Sequence, residues 1–430
     1  MSDQMDGSPR PAWWRSLGPA FITACVVFGP GSLIISTKVG ARHGYDLLWL
    51  LAATGLLMGA FMTMAARVGV LGGGTPCTLI AARLGRPAAW LVGLTLSLIC
   101  GAFQFSNNLA VAVLAQALLP EDLHATIVPA VLIGFNGVLI VFLFSAKHIY
   151  QVLERVMKCM VGVILLCFLV NVVLAGPDPV SVLKGFIPSI PRGVTLALPA
   201  RVDGAIMDPM VLIASLLGTT FSVAGAFFQG NLVREKGWTI REYRRGIGDS
   251  IAGVCVLTGV SMIVMITAAT VIPGTEPDDL GQLALALEPL LSTAAFAIFC
   301  VGLCAVALNP FLINAMIGGT ILADGVGLPA KMGSLWSRLF TVVVLLCGMV
   351  VAILALRSGE KPVDLMIIGQ ALTVIGNPLM AAAILYLANR KDIMGERRNG
   401  IVLNVIGGVG LTLVVAMAVR VLWRVILQVT

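Results

Sequence analysis

The apolar residues of this chain are gathered into eleven blocks, most of them 20 residues or longer, that are separated by short polar segments. A helical block of about 20 residues spans the hydrocarbon core of a bilayer. Only 11% of the 430 residues are charged, whereas a soluble domain carries about 25%. The chain is therefore predicted to be an all-α integral membrane protein. The blocks cover residues 17–39, 46–70, 88–119, 126–146, 152–175, 210–233, 247–272, 283–322, 335–356, 363–388 and 400–427.

The basic residues predict how these blocks cross a cell membrane. If the N-terminus is cytoplasmic, most Lys and Arg residues fall on the cytoplasmic side, as the positive-inside rule favours. The external segment 274–282 then carries three acidic residues and no basic one, and eleven crossings place the C-terminus outside. The predicted cytoplasmic residues are Arg10, Arg15, Arg67, Arg83, Arg86, Lys147, Arg155, Lys158, Arg234, Lys236, Arg241, Arg244, Arg245, Lys331, Arg338, Arg390, Lys391, Arg397 and Arg398.

Two of the blocks carry residues that weaken a helix near their centres. The first contains Gly29-Pro30-Gly31-Ser32, and the sixth is rich in small residues from Gly218 to Gly225. A break at membrane depth persists only where protein covers it or where it lines a wet cavity. Two weak helices five apart fit an inverted five-plus-five repeat with a binding site between its halves. Close helix packing through small residues is the alternative explanation for the sixth block.

The residues of the chain argue against an enzyme. The sequence contains no Ser-His-Asp set, phosphate loop or metal-ligand cluster, so neither catalysis nor a cofactor is expected. The net charge of +7 is assigned to cytoplasmic loops and does not predict nucleic-acid binding.

The predicted helices divide the chain into five segments. These are a cytoplasmic tail (1–16), a first five-helix repeat (17–175), an external loop (176–209), a second five-helix repeat (210–388), and a loop with the eleventh helix (389–430).

Three segments near the N-terminus resemble the natural-resistance-associated macrophage protein (NRAMP) family of metal transporters. They are Leu17-Gly-Pro-Ala20, Gly40-Ala-Arg-His-Gly-Tyr-Asp-Leu-Leu-Trp49 and Ala65-Ala-Arg-Val-Gly69, and a weaker match runs from Leu217 to Val233. The resemblance implies an eleven-helix transporter of the leucine-transporter type, with helices 1 and 6 broken, that works by alternating access.

The metal-binding positions that the resemblance implies are changed in this chain. The family's first break reads Asp-Pro-Gly-Asn, and its Asp and Asn fall on Gly29 and Ser32. Its sixth-helix Met falls on Ser222, and a second histidine of that helix falls on Gln229. Its glutamine in helix 10 is matched by Gln370, and its helix 3 acidic residues fall on Leu94, Gly101 and Gln104. The resemblance therefore implies a site without its transition-metal ligands.

Uncharged polar residues remain to line the predicted site. Hard divalent cations are normally held by carboxylates, and softer metals by sulfur or imidazole, but no Asp or Glu falls at the predicted midplane of any block. Each polar side chain could equally join helices by a hydrogen bond. The expected substrate-binding residues are Gly29, Pro30, Gly31, Ser32, Gln104, Thr219, Ser222 and Gln370, with Ser36, Asn107, Asn309, Asn314 and Asn377 as further candidates.

Two more residues of the first block receive a predicted role. Ser32 is expected to cap the second half-helix, whose free amides favour an anionic group or a solute rich in lone pairs. Lys38, about two turns further on, is expected to anchor the helix at the outer membrane interface and not to bind a ligand.

Three functions are compatible with these observations. The main interpretation is a secondary transporter that moves a small polar solute, including one that bears a carboxylate, across the bilayer. The alternative is low-affinity transport of a divalent cation, magnesium or manganese, held weakly by Ser32, Thr219, Gln370 and backbone carbonyls. The third is a sensor or scaffold that has kept the fold without transport.

Overall fold

The computed structural model describes residues 29–145, 149–191, 193–202, 205–275, 306, 308, 310–359 and 361–429, and these are mostly helical. The helices before the long loop are α1 (Pro30–His43), α2 (Leu48–Leu71), α3 (Pro76–Leu84), α4 (Arg86–Leu118), α5 (His124–Ser145) and α6 (Ile149–Ala175). The loop carries α7 (Pro179–Lys184) and strands β1 (Ala200–Val202) and β2 (Ala205–Met207). The helices after it are α8 (Val211–Thr220), α9 (Val223–Glu235), α10 (Ile240–Val271), α11 (Phe311–Val326), α12 (Leu335–Leu356), α13 (Pro362–Asn389), α14 (Lys391–Met394) and α15 (Ile401–Val429).

Eight helical stretches among the described residues are long and apolar enough to cross a membrane. They lie in α2, α4, α5, α10, α12, α13 and α15, and in α8 and α9 taken together. A multi-pass, all-α membrane protein is therefore confirmed. Residues 1–28 and most of 276–309 lie outside the described residues, so the count of eleven crossings and the inverted repeat stay predictions.

Both predicted breaks coincide with helix ends. In the sixth block α8 ends at Thr220 and α9 begins at Val223, so the interruption falls at Phe221 and Ser222. In the first block α1 begins at Pro30, directly after Gly29, as expected for the second half of an interrupted helix. The first half of that block lies outside the described residues.

Helix α13 lies between the two breaks. It packs against α1 and α4 and also against α8 and α9. The start of α1 also contacts α4, where Gly29 faces Asn107. This packing brings the polar residues of α4 and α13 to the ends of the broken helices.

Glycines allow the broken helices to contact their neighbours along the backbone. A Cβ added to Gly69 of α2 would lie 2.9 Å from the carbonyl carbon of Gly230 in α9. A Cβ on Gly40 of α1 would lie 3.0 Å from the Cα of Met265 in α10. Real Cβ atoms are essentially never this close to backbone atoms, so a larger residue at either position would require the helices to shift.

The long loop covers one end of the helix bundle. Strands β1 and β2 form an antiparallel hairpin in which Arg201 pairs with Ile206. The indole Nε1 of Trp423 in α15 donates to the Pro199 carbonyl at 3.1 Å. The indole Nε1 of Trp49 in α2 donates to the Ser189 carbonyl at 3.0 Å. The segment 176–209 is therefore tied to the ends of α2 and α15, on the side that the charge distribution predicts to be external.

Replacing Gly69 by Ala should lower the stability of the protein because the added methyl group forces α2 away from α9. Overpacking of this kind costs about 1–3 kcal/mol, and the thermal unfolding midpoint of the detergent-purified protein should fall accordingly. Gly59→Ala on the same helix is the matched control, because a Cβ there meets no atom within 4 Å. Equal midpoints for the two variants would contradict the backbone contact.

Candidate functional site

The first break is built around a glycine that has little room for a side chain. Gly29 occupies the N-cap position of α1, and Pro30 follows at its first helical position. A Cβ on Gly29 would lie 3.2 Å from Cγ of Pro310 and 3.4 Å from Oδ1 of Asn107. No side chain caps the helix. The predicted cap by Ser32 is therefore wrong, because Ser32 is buried inside the first helical turn while Gly29 takes the cap position.

The side chain of Gln370 lies directly on Gly31. A Cβ on Gly31 would come within 2.6 Å of Cγ and Cδ of Gln370, so glycine at this position makes the space that the glutamine fills. Gln370 is buried on α13, and its Oε1 has no hydrogen-bond partner. The structure thus brings together two residues that the sequence predicted separately for one site.

A chain of amides leads from the first break into α4 and α5. Asn107 donates through Nδ2 to Oε1 of Gln104 at 2.9 Å, and the Nε2 of Gln104 is buried without a partner. Asn108 donates to the backbone carbonyl of Gln104 at 2.8 Å, and Asn136 donates to Oδ1 of Asn108 at 2.7 Å. The predicted residue Gln104 is therefore connected to Gly29 through Asn107. Asn108 and Asn136 were missed, although an Asn inside an apolar block is itself a signal.

The second break is contacted by Asn377 of α13. Nδ2 of Asn377 donates to the Phe221 carbonyl at 3.3 Å, and the Val223 amide donates to the same oxygen at 3.0 Å. Ser222 is buried at the N-cap of α9, but its side chain makes no capping hydrogen bond. Thr219 uses its hydroxyl within α8, where it donates to the Leu216 carbonyl at 3.0 Å.

The buried oxygens of the predicted site residues determine what this arrangement can hold. Three oxygens have no partner: Oγ of Ser36, Oε1 of Gln370 and Oδ1 of Asn377. Burying an acceptor without a donor costs about 1–3 kcal/mol. In the part of the chain that the structure describes, no three His, Cys, Asp or Glu side chains could together hold a metal ion. The geometry is therefore that of a neutral polar site with three unpartnered oxygens and, at Nε2 of Gln104, one unpartnered donor. Asn314 is buried on α11, and Asn309 lies outside the described residues.

One buried carboxylate escaped prediction because it follows the eighth block. Asp324, near the end of α11, accepts from Oγ1 of Thr75 at 2.6 Å and from Nδ2 of Asn231 at 2.9 Å. It also accepts from the Cys77 amide at 3.3 Å. These contacts tie α9 to α11 and to the first turn of α3. On the same side, Glu235 accepts from the Met332 amide at 3.1 Å.

The predicted role of Lys38 as an interface anchor is wrong. Its side chain is 9% exposed, and Nζ lies 3.6 Å from Oδ1 of Asp364 on α13. Lys38 therefore points into the protein, because α1 is covered on this face by α8 and α13.

Comparisons of the sequence with known proteins agree with the resemblance in the first two blocks. Residues 20–424 match the model of the natural resistance-associated macrophage protein-like family. A divalent metal cation transporter, MntH, of Deinococcus radiodurans is 28% identical over 95% of this chain and 89% of that protein. The transporter of the same name from Chromohalobacter salexigens is 27% identical over 97% of this chain and 94% of that protein.

Solved structures show the same fold. The Eremococcus coleocola manganese transporter, in complex with an aromatic bis-isothiourea compound, matches with a TM-score of 0.75 and 19% identity, over 97% of this chain and 88% of that chain. Mhp1, a nucleobase-cation-symport-1 family transporter in a closed conformation, matches with a TM-score of 0.51 and 14% identity, over 95% of this chain and 91% of that chain. Identities this low establish the fold alone.

Replacing Asp324 by Asn should destabilise the protein because the charged acceptor of several hydrogen bonds is lost. Hydrogen bonds to charged groups contribute about 1.5–3 kcal/mol and neutral ones about 0.5–1.5, so we expect a loss of at least about 1 kcal/mol in thermal unfolding.

Asp392→Asn provides the control for this variant. Asp392 is 41% exposed and pairs with Arg83 at 2.6 Å and with Arg390 at 2.9 Å. The hydrogen bond from Arg390 holds the pKa of the Asp392 carboxyl below its ordinary value. Exposed ion pairs contribute little to stability, so this variant should unfold like the unmodified protein. A larger loss for Asp392→Asn than for Asp324→Asn would contradict the assignment.

Proposed function

This chain belongs to the natural resistance-associated macrophage protein-like family of membrane transporters, and we propose that it carries a divalent cation that keeps part of its hydration shell. It is a transporter and not an enzyme, as the sequence predicted. The cation would be bound weakly, between the breaks of the first and sixth blocks.

The relatives support a cation as the cargo. Two of them, which align with nearly the whole chain, carry the name divalent metal cation transporter. This favours the second interpretation from the sequence, low-affinity cation transport, over the small polar solute that was the main one. The names of these relatives give no support to a polar solute.

The unpartnered oxygens support a cation that remains hydrated. Gly29 and Ser222 supply neither a carboxylate nor a sulfur, so little in the site would compensate for removing water from the ion. Magnesium gives up its waters reluctantly. The water molecules around such an ion point their hydrogens outward, toward acceptors such as Oγ of Ser36, Oε1 of Gln370 and Oδ1 of Asn377. Hydrogen bonds through water are nearly as favourable as direct ones. These three oxygens are the observation that carries the proposal.

The helix ends would add to this environment. The last carbonyls of a helix lack intrahelical donors and carry partial negative charge, and α8 ends at Thr220, beside the break. Ser32 and Thr219 would offer hydroxyl oxygens near the two breaks. Gln370, whose side chain lies against Gly31, would contact a water molecule of the ion. A site that selects the size of a hydrated ion would discriminate poorly between magnesium and manganese.

Release to the opposite side would require α9 to move. Its predicted cytoplasmic end is held by Asn231 on Asp324 and by Glu235 on the Met332 amide. We propose that these two contacts open when the cargo leaves toward the cytoplasm, and that the Phe221–Ser222 interruption provides the flexible point between α8 and α9.

Purified protein in liposomes should take up magnesium and manganese with half-saturation in the millimolar range, and the two ions should compete about equally. Gln370→Leu and Asn377→Leu should each weaken apparent affinity about 2- to 10-fold, because one hydrogen bond contributes about 0.5–1.5 kcal/mol. Asn389→Leu is the control on the same helix, because Asn389 is exposed and bonds to Leu385 and Asn404.

Each contrary result identifies a different function. Manganese uptake that saturates at micromolar concentration and ignores magnesium would indicate a dehydrated transition-metal ion. Flux of an organic solute without any cation flux would restore the main interpretation from the sequence. A folded protein that moves neither kind of cargo would fit the sensor or scaffold.

A further inference from the structure

The predicted external loop, residues 176–209, exposes large apolar side chains. Leu183 and Ile190 are each 69% exposed, Ile187 is 64% exposed and Leu196 is 75% exposed. Lipid covers such side chains within a span, but among the described residues this loop is not one of the stretches able to cross a membrane. Exposed apolar surface of this extent marks contact with a membrane or with another protein. The loop also exposes Val180, Phe186, Leu198, Val202 and Met207.

Helix α7 of this loop is apolar on its outward face as well as on its inward face. Val182 packs against the buried cluster that contains Leu48 of α2. Val180 and Leu183 are three residues apart and therefore share a face of the helix, and both are exposed. A helix that is apolar all round is normally covered on every side. The outward face of α7 therefore needs an apolar partner.

The position of α7 is fixed by the first turn of α2. The Gly185 carbonyl, directly after α7, accepts from the backbone amide of Trp49 at 2.9 Å. A Cβ on Gly185 would lie 2.9 Å from Cβ of Tyr45, so the two segments are in close contact. The outward face of α7 is consequently held beside the end of a predicted span and cannot turn inward.

The exposed apolar surface begins in the span that precedes the loop. Val173 and Leu174, in the last turn of α6, are exposed. Helix α6 ends at Ala175 and α7 begins at Pro179. Four extended residues reach at most about 14 Å, so α7 lies close to the end of α6. The lipid around that end of α6 is therefore within reach of the apolar side chains of α7.

Two tryptophans indicate the depth of the loop in the membrane. Trp49 is the second residue of α2, and Trp423 lies within the last two turns of α15. Tryptophan rings at the ends of membrane helices lie at the level of the lipid headgroups. Each of these indoles donates to a loop carbonyl, at Ser189 and at Pro199. The backbone of the loop therefore passes at headgroup depth at both points.

We propose that this loop lies in the headgroup region of the bilayer, with Leu183, Ile187 and Leu196 turned toward the acyl chains. An interfacial segment of this kind inserts its apolar side chains about 5–10 Å into the headgroup boundary. Water in the headgroup region keeps the irregular backbone hydrated, which the hydrocarbon core would not allow. The partner is the phospholipid itself, and the placement does not depend on what the protein transports.

The loop does not require anionic lipid for this contact. Its six charged residues sum to zero, so the driving force is the burial of apolar surface. We therefore expect the same depth in membranes of phosphatidylcholine with and without phosphatidylglycerol. The charged residues are Asp178, Lys184, Arg192, Arg201, Asp203 and Asp208.

The test is fluorescence quenching of the full-length protein in lipid nanodiscs. Leu183→Cys and Leu196→Cys are each labelled with a fluorophore, in a background whose nine native cysteines are replaced. Lipid with a headgroup-level nitroxide should quench both labels about twofold or more beyond Ser358→Cys, because the inserted side chains reach the nitroxide. Ser358 is the matched control, since it is exposed in the turn after α12 that is predicted to be external. Iodide in the water should quench the control more strongly.

Photolabelling of the unmodified protein provides a second measurement that needs no cysteine replacement. Lipid that carries a diazirine at headgroup level should attach to residues 180–198 and to the end of α6. Mass spectrometry of the digested protein should find much less label in the turn at residues 357–359. A thermal unfolding transition verifies that each cysteine variant is folded.

Three results would overturn the proposal. The first is stronger quenching of the loop labels by iodide than by nitroxide lipid, together with no photolabel in the loop. The second is cross-linking of the loop to a second copy of the chain in place of lipid, which would make this surface an interface between copies. The third is insertion only when phosphatidylglycerol is present. None of these measurements records cation flux, so they stand or fall separately from the proposed transport.

Discussion

A helix that stops inside a membrane must find new partners for its backbone, because the lipid offers none. In this protein α13 supplies one such partner at the second break and packs against the first. Asn377 donates to the Phe221 carbonyl at the break between α8 and α9, and Gln370 fills the space above Gly31 at the start of α1. These two residues are seven apart and therefore lie on one face of α13. The proposed binding site thus depends on one helix, α13, that contacts both the start of α1 and the break between α8 and α9.

The dependence of the breaks on a helix that is distant in the sequence also explains how much of the structure could be predicted. Runs of apolar residues identify the helices, and small residues locate the interruption that the structure places at Phe221 and Ser222. The amide side chains of Gln104, Gln370 and Asn377 stand out because most other residues in their blocks are apolar. Predictions made from adjacent residues in the sequence failed where residues distant in the sequence determine the local structure. Ser32 does not cap α1, because Gly29 occupies the cap position at a point crowded by Pro310 and Asn107.

Lys38 and Asp324 show the same limit for charged residues. A lysine near the end of an apolar block is normally at the membrane interface, yet Asp364 and the packing of α8 and α13 keep Lys38 inside. Asp324 follows the eighth block, and only the folded chain shows that Thr75 and Asn231 surround it. In both cases the partner is far away in the sequence, and a single sequence gives no information about such pairs.

The contacts between glycines have a mechanical consequence. Gly69 fixes α2 against α9, and Gly40 fixes α1 against α10, while α2 and α10 also pack together. Helices α1 and α9 are consequently fastened to the same pair of packed neighbours, α10 and α2. A tilt of α2 and α10 together would therefore carry α1 and α9 with it.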